Sequence, residues 1–289
     1  MDEIDLHIAK ILLKNCRTTY RLIAEELNLS LNAIYKRVQN LIDLGIIRAF
    51  TARPSLIALN GIEVLIYGKT IGKDTTLISQ ELGLNNNTYF VGVAGGNLLY
   101  IGGFLKNISE LHECIISMST IGKLENTLTL IKKYPYRINP EKLIDLDYKI
   151  LENISTDGRK TIKDIGDEIK ISAKTVQKHI NKMIEYDLVD FSINFAPQIL
   201  TSQFHIYLER ESDYNEELKR IEKKYENNIL YLQQYSNIPN LIMMTALTKT
   251  NNEAAELYRQ LQNEGFKELS HDIFYKGFFF KTWRDSANI

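Results

Sequence analysis

Apolar residues recur at three- and four-residue intervals from Ile4 to Ile47, then again from Leu146 to Val189. In the second stretch Leu146, Ile150, Leu151 and Ile154 fall on one helical face. "STDGRK" interrupts that helix, with Gly158 a candidate C-cap. Thr161, with Asp164 three residues later, has the spacing of an N-cap and predicts a short helix over Ile162–Ile169. Ser172 caps the next helix, which runs to about Tyr186. Two helices joined by a tight turn form a helix-turn-helix. The alternating "LVDFSINF" that follows is a strand, so the whole reads as a winged helix. The stretch from Ile4 superposes on it at a constant offset without a gap: Asp5 meets Asp147, Arg17 meets Arg159, Ser30 meets Ser172 and Val38 meets Ile180. Apolar positions are kept while polar ones vary, the pattern of one fold used twice.

Each helical module is followed by a different pattern. After Pro54, "IEVLIYGKTI" reads as a strand, "TTLISQELG" as a helix, "YFVGVAGG" and "NLLYIGGFL" as a hairpin, "ISELHECIISMSTIG" as a helix and "LTLIKKY" as a last strand. After Pro197 the order repeats, from "QFHIYLER" to the aromatic "DIFYKGFFFKTW", whose imperfect alternation suggests burial on both faces. The order β-α-β-β-α-β is a ferredoxin-like plan. Pro135 and Pro140 bracket the junction of the halves, as proline resists element interiors. The expected fold is α+β: winged helix-turn-helix domains at 1–54 and 139–197, and ferredoxin-like domains at 55–138 and 198–289. The ferredoxin-like pair is expected to pack through its sheets into a pseudo-dimer.

On a helical wheel, Val176, Ile180, Met183 and Ile184 face inward, while Lys174, Gln177, Lys178 and Asn181 face outward with Lys182 at the edge. In the first copy Ile34, Val38 and Leu41 face inward. Asn32, Tyr35, Lys36, Gln39 and Asn40 face outward, with Arg37 at the flank. No acid interrupts either outer face before Asp43 and Glu185. Lys and Arg offer donors to guanine and phosphate, and Asn and Gln bond adenine bidentately, so these faces suit a major groove. The helix starts add Thr19, Ser30, Thr161, Ser172 and Thr175, and the middle of the second copy's last helix adds His179, as candidate contacts. Arg17, Arg48, Arg53, Arg159, Lys160 and Lys163 are candidate phosphate contacts. A solvated polar helix and a protein-docking winged helix have the same appearance, and that reading stays open.

The chain of 289 residues has a formal net charge of -1, which excludes a globally basic coat but not a local basic patch. Cys16 and Cys114 lie far apart, giving neither a zinc-ribbon spacing nor a disulfide framework, and a reducing cytosol is expected. No apolar run is long enough to span a membrane. The five histidines show no metal-ligand spacing, and "GVAGGN" lies in a predicted hairpin rather than before a phosphate-binding helix. No catalytic residue, metal site or cofactor is predicted.

The helical modules resemble the Lrp/AsnC (leucine-responsive regulator) family. The second carries Asp147, Ile150, Leu151, Asp157, Gly158, Arg159, Ser172, Thr175 and Val176; the first carries Asp5, Arg17, Ser30, Arg37, Val38, Leu41, Gly45 and Ile47. The resemblance implies a DNA-binding helical part and an α+β part, often called RAM, that dimerises and holds an amino-acid effector. It implies double-stranded DNA and further copies of the chain as partners, dimer or higher, and a cytoplasmic, nucleoid-associated place. Most members carry one such unit per chain; this chain has two. The family's G-x-x-D effector loop becomes Gly95, Gly96 and Asn97 in one half and Asn237 to Asn240 in the other. An Asn supplies no carboxylate for a ligand ammonium. These positions read either as effector contacts or as turn residues. Siroheme decarboxylases share this regulator-like fold, often as two homologous halves, and form the alternative reading. The post-wing segments "RAFTARPSLIALNG" and "DFSINFAPQILTSQ" lack His, and the second lacks Arg. A third reading is a protein-interaction scaffold that has lost DNA binding.

Overall fold

A computed structural model describes residues 1–134, 141–196, 200–209 and 211–286. Pro135, Pro140 and Pro197, the sequence-level boundary markers, lie outside the described residues. The chain forms two compact units, one from Met1–Asn60, Arg137–Gln198 and Ser286–Ile289, the other from Gly61–Tyr136 and Ile199–Asp285.

The first unit contains both helix-turn-helix copies. In one, α1 (Glu3–Lys14), α2 (Tyr20–Glu26) and α3 (Leu31–Asp43) lead into strand β1 (Ile47–Pro54).

The second unit opens with β2 (Ile62–Thr70), α4 (Thr75–Leu82), β3 (Thr88–Ala94), β4 (Leu98–Leu105), α5 (Leu111–Ile121) and β5 (Leu124–Ile131). The chain then returns to the first unit for α6 (Asp145–Ile154), α7 (Ile162–Ile169), α8 (Ala173–Glu185) and β6 (Val189–Phe195). It closes the second unit with β7 (Leu200–Tyr207), α9 (Tyr214–Lys224), β8 (Ile229–Gln234), β9 (Leu241–Thr248), α10 (Asn251–Gln262) and β10 (Glu268–Phe279).

Local chemistry explains why the first unit's halves match. Thr19, Ser30, Thr161 and Ser172 each accept a backbone N–H through the side chain and start α2, α3, α7 and α8. Left-handed residues recur at the same repeat positions: Asn28 and Lys170 before the recognition helices, Gly45 and Asp187 after them. Gly45 is thus the expected helix stop. Gly158 is not the expected C-cap, because Ser155 takes that position. The strands β1 and β6 pair antiparallel, and the inward faces of both copies merge in one core that includes Ile34, Val38, Val176 and Ile180. Neither copy buries its apolar face alone, which is why the two helical modules fold as one unit.

In the second unit eight strands run in the order β5-β2-β4-β3-β10-β7-β9-β8. Each half keeps a ferredoxin-like strand order, and β10 joins them. Its first part pairs with β7 and its last part with β3. Lys132 bridges to Tyr235, and Ser236 N–H donates to Ile131 C=O at 2.8 Å, linking the outermost strands. These bonds pair the end of β5 with the end of β8. The helices cover one face of each half. The opposite faces share a core around Tyr100, Leu130, Tyr235 and Met243. The aromatic last strand begins earlier than its pattern predicts and is not buried on both faces: Tyr275 is 62% exposed and Phe279 66%. Tyr275 lies at the register shift between Phe274 and Lys276, and Phe279 is the last residue of the strand.

That shared core contains a polar network. The Tyr100 hydroxyl donates to Asp272 Oδ2 at 2.5 Å and lies 2.9 Å from His205 Nε2. Burial pushes the His205 imidazole down to about 4. It is therefore neutral near pH 7, and its Nε2–H is the donor to Tyr100. Nearby, Glu63 accepts from Lys132 Nζ (2.8 Å), Tyr134 (2.6 Å) and Tyr89 (2.9 Å). Burial opposes its charge, but the Lys132 ammonium and these donors hold the carboxyl below its ordinary range.

Candidate nucleic-acid interface

Helices α3 and α8 present the outward faces expected from the sequence. Val38 and Ile180, together with Leu41 and Met183, are buried beneath them, whereas Ile184, expected on the inner face, is 38% exposed in the last turn of α8. On α3, Asn32, Tyr35, Lys36, Gln39 and Asn40 are exposed. On α8, Lys174, Gln177, Lys178 and Asn181 are exposed and Lys182 half-buried. Gln39 donates to Asp43 at 2.9 Å and Gln177 to Asn181 at 2.6 Å, so the amides are pre-arranged along each helix. Lys182 pairs with Glu141 at 3.0 Å. An open cleft of about 650 Å³ lies over α8, lined by Lys174, Lys178 and Lys182 together with Glu141 and Glu185.

Other predicted contacts have internal partners. Arg37 Nη1 pairs with Asp2 at 2.8 Å and with buried Asp5 at 2.7 Å. At the equivalent position of the second copy, His179 Nδ1 lies 2.6 Å from fully buried Asp147. Each pair ties the first helix of its module to the recognition helix, so Arg37 and His179 are positioning groups rather than groove-facing ones. Thr19, Ser30, Thr161 and Ser172 are caps, and Thr175 Oγ1 lies 2.8 Å from the Ser172 hydroxyl.

Arg17 and Arg159 form a reciprocal clasp between the copies instead of lining the outer face. Arg17 Nη1 donates to the carbonyls of Gly158 (2.7 Å) and Lys160 (3.2 Å). Arg159 Nη1 donates to Cys16 C=O (2.5 Å) and Thr18 C=O (3.0 Å), and its guanidinium lies 4.3 Å from the Tyr20 ring centroid. Cys16 and Gly158, equivalent in the repeat, meet at the same place. A Cβ on residue 158 would approach Thr51 O to 2.8 Å and Cys16 Sγ to 2.9 Å, which is why glycine stands there. Burial pushes the Cys16 thiol up to about 11, so it is a packing group rather than a nucleophile.

Arg48 and Lys163 are exposed and remain candidate phosphate contacts. Arg53 is half-buried, and Lys160 pairs with Glu168 at 2.5 Å. The sequence reading missed the exposed Leu22 on α2 and Leu31 at the head of α3, each 54% exposed. Their signal is an apolar residue at a position where the second copy has Asp164 or Ala173.

The candidate effector residues do not come together. Gly95, Gly96 and Asn97 form an exposed tight turn, with Gly96 and Asn97 at φ 71° and 63°. Asn237 is engaged by β5: its Oδ1 accepts Ile131 N–H (2.9 Å) and its Nδ2 donates to Thr129 C=O (2.8 Å). Asn240 Nδ2 donates to Leu208 C=O at 3.3 Å. These three bonds make Asn237 and Asn240 structural. Among the described residues no group of three or more His, Cys, Asp or Glu side chains is placed to hold a metal ion.

The winged helix-turn-helix DNA-binding family matches twice, over residues 1–48 and 145–190. An HTH-type transcriptional regulator of Pyrococcus horikoshii is 30% identical over 48% of this chain and 99% of its own length. The HTH-type transcriptional regulator LysM of Sulfurisphaera tokodaii is 34% identical over 45% of this chain and 94% of its own. The crystal structure of the siroheme decarboxylase NirDL superposes with a TM-score of 0.63 at 14% identity, covering 97% of this chain and 93% of that one. At that identity the match speaks for the fold, a tandem arrangement of the same length. Two family matches in register, and regulators covered almost end to end by about half the sequence, lead to one conclusion: this chain belongs to the Lrp/AsnC family of helix-turn-helix transcriptional regulators, in a tandem form.

Proposed function

We propose that this chain is a sequence-specific DNA-binding transcriptional regulator whose two recognition helices, α3 and α8, engage one duplex. The observation that carries this reading is that one unit, built on the β1–β6 pairing and a shared core, presents two outward polar faces without an acid along their centres. In this reading Asn32, Tyr35, Lys36, Gln39 and Asn40 meet one half-site, and Lys174, Gln177, Lys178, Asn181 and Lys182 the other. Arg48 and Lys163 contact phosphates. Because the faces differ, the target is bipartite and asymmetric; identical halves would require a palindrome. We assign 1–54 and 139–197 to DNA contact and 55–138 and 198–289 to assembly through the joined sheet. Further self-association follows family habit and closed symmetry. The protein acts in the cytoplasm, at the nucleoid. Selection of bound duplexes from a random pool with the full chain tests the reading. Non-palindromic, two-part sites are expected; only symmetric palindromes would overturn it.

One observation favours a second reading: the fold match to a decarboxylase extends over nearly the whole chain. Adding siroheme and following its Soret band separates the two. An unchanged band dismisses the enzyme reading. A shifted band in a protein that binds no duplex replaces the regulator.

A further inference from the structure

We propose that the two recognition helices read half-sites of different base composition: α3 an A·T half-site presenting thymine methyl groups, α8 a half-site carrying guanine. This rests on the DNA-binding reading above and assigns a chemistry to each half of the target.

The asymmetry is visible residue by residue. On the first copy Leu31 and Tyr35 are 54% and 55% exposed at the head of α3. The ring of Tyr20 stands edge-on to Tyr35, centroids 6.3 Å apart, and fixes its direction. At the equivalent positions the second copy has Ala173 and Gln177. The thymine C5-methyl is the apolar group of the major groove, and an apolar face is matched to it. Asn32 and Asn40 are exposed on the same helix, with carboxamides suited to adenine N6 and N7. Cationic competition is reduced there, because Arg37 is drawn to Asp2 and Asp5 and only Lys36 remains among the outward residues named for α3.

The second copy differs at four of these positions, and it keeps a lysine, Lys178, at the place of Lys36 and a carboxamide, Asn181, at that of Gln39. Lysines replace the asparagines: Lys174 stands at the place of Asn32 and Lys182 at that of Asn40. Lys174 and Lys178 are exposed and line the cleft over α8. An ammonium is donor-only, so it is matched by guanine, whose O6 and N7 are adjacent acceptors. It is mismatched by adenine, whose N6 amino group is a donor beside N7. Where the first copy exposes Leu31 and Tyr35, this face has the smaller Ala173 and the polar Gln177.

The test uses the full chain and a duplex selected by it from a random pool. In one half at a time, thymines are replaced by deoxyuridine, which removes the methyl, or guanines by 7-deazaguanine, which removes the N7 acceptor. Deoxyuridine is expected to weaken binding about fourfold per contacted methyl in one half only. The 7-deaza substitution is expected to weaken binding about fivefold or more in the other half only. Tyr35→Ala with Leu31→Ala should abolish the first sensitivity and keep the second; Lys174→Ala should do the reverse. All three side chains are exposed, and an unchanged unfolding midpoint confirms that each variant folds. Equal responses in both halves overturn the proposal. So does a Tyr35→Ala, Leu31→Ala variant with wild-type affinity and base preference, which would assign that face to a protein partner. Failure of the wild-type chain to select any duplex is a different result and overturns the DNA-binding reading itself.

Discussion

Replacing Arg159 by Ala separates the two roles available to that side chain. As a phosphate contact, Arg159 contributes to DNA affinity and little to folding. As half of a reciprocal clasp, it contributes to the stability of the unit containing both helix-turn-helix copies. The structure places Nη1 on two carbonyls, Cys16 O at 2.5 Å and Thr18 O at 3.0 Å, with Tyr20 stacked beneath at 4.3 Å. A hydrogen bond from a charged donor contributes about 1.5–3 kcal/mol, and a partly exposed cation–π contact about 0.5–1 kcal/mol. The group is only half-buried, and water replaces part of what is lost. The expected destabilisation is therefore about 2–3 kcal/mol rather than the sum of all contacts. Amide hydrogen exchange reads this locally. The N–H groups of Cys16 and Gly158 donate across the copies to Phe191 C=O (3.2 Å) and Phe50 C=O (2.9 Å). Their protection should fall roughly 30- to 150-fold, since 1.4 kcal/mol is a factor of ten. Arg17→Ala should expose the same amides, and the double variant should lose less than the sum because the two guanidinium groups secure one junction. Unchanged protection in Arg159→Ala, together with a shallower salt dependence of DNA binding, would refute the clasp.

Gly158→Ala should destabilise the same unit by about 1–3 kcal/mol, read as a lower urea midpoint, because the new methyl meets Thr51 O at 2.8 Å in backbone rather than in a movable side chain. Acid should weaken the second unit through His205: the unfolded imidazole titrates near 6.5 and the folded one at about 4, so the unfolded state takes the proton first. That contribution is intact above about pH 6.5 and is lost on the way down to pH 4, about 3 kcal/mol in all, and His205→Gln should flatten urea midpoints measured across that window. Glu63→Ala should cost about 3–5 kcal/mol in thermal or urea unfolding, since it leaves Lys132, Tyr89 and Tyr134 without their shared acceptor. Lys178→Ala should weaken binding to a selected duplex by about 1–3 kcal/mol in a mobility-shift titration without moving the unfolding midpoint.

The readable parts of this molecule were those governed by neighbours in sequence. Val176, Ile180 and Met183 define the inner face of α8 by spacing alone, and Ser30 and Ser172 mark the recognition-helix starts by their capping chemistry. What escaped the sequence depends on contacts between its distant copies. Arg17 and Arg159 have the composition of phosphate contacts, yet their partners lie about 140 positions away along the chain and are main-chain carbonyls that no side-chain pattern announces. Arg37 and His179 were legible in principle, because each copy pairs a basic side chain with an acid, Asp5 or Asp147, at one repeat spacing. The wheel puts Arg37 only at the flank, because it places a long side chain by its Cα and not by its charged end. The joining role of β10 was hidden for a related reason. Strand pairing between half-sheets is long-range, and aromatic alternation reports exposure only once both neighbours are known.

The most direct measurement of the central claim is the affinity of the full chain for a selected duplex as salt is raised, compared with a Lys36→Ala, Lys174→Ala, Lys178→Ala variant. The account predicts a linear fall of log K with log salt, with a slope of about −0.9 per phosphate contacted, and weaker binding by the variant with its fold intact. Wild-type binding that is absent at low salt, or that neither salt nor the variant alters, would contradict it.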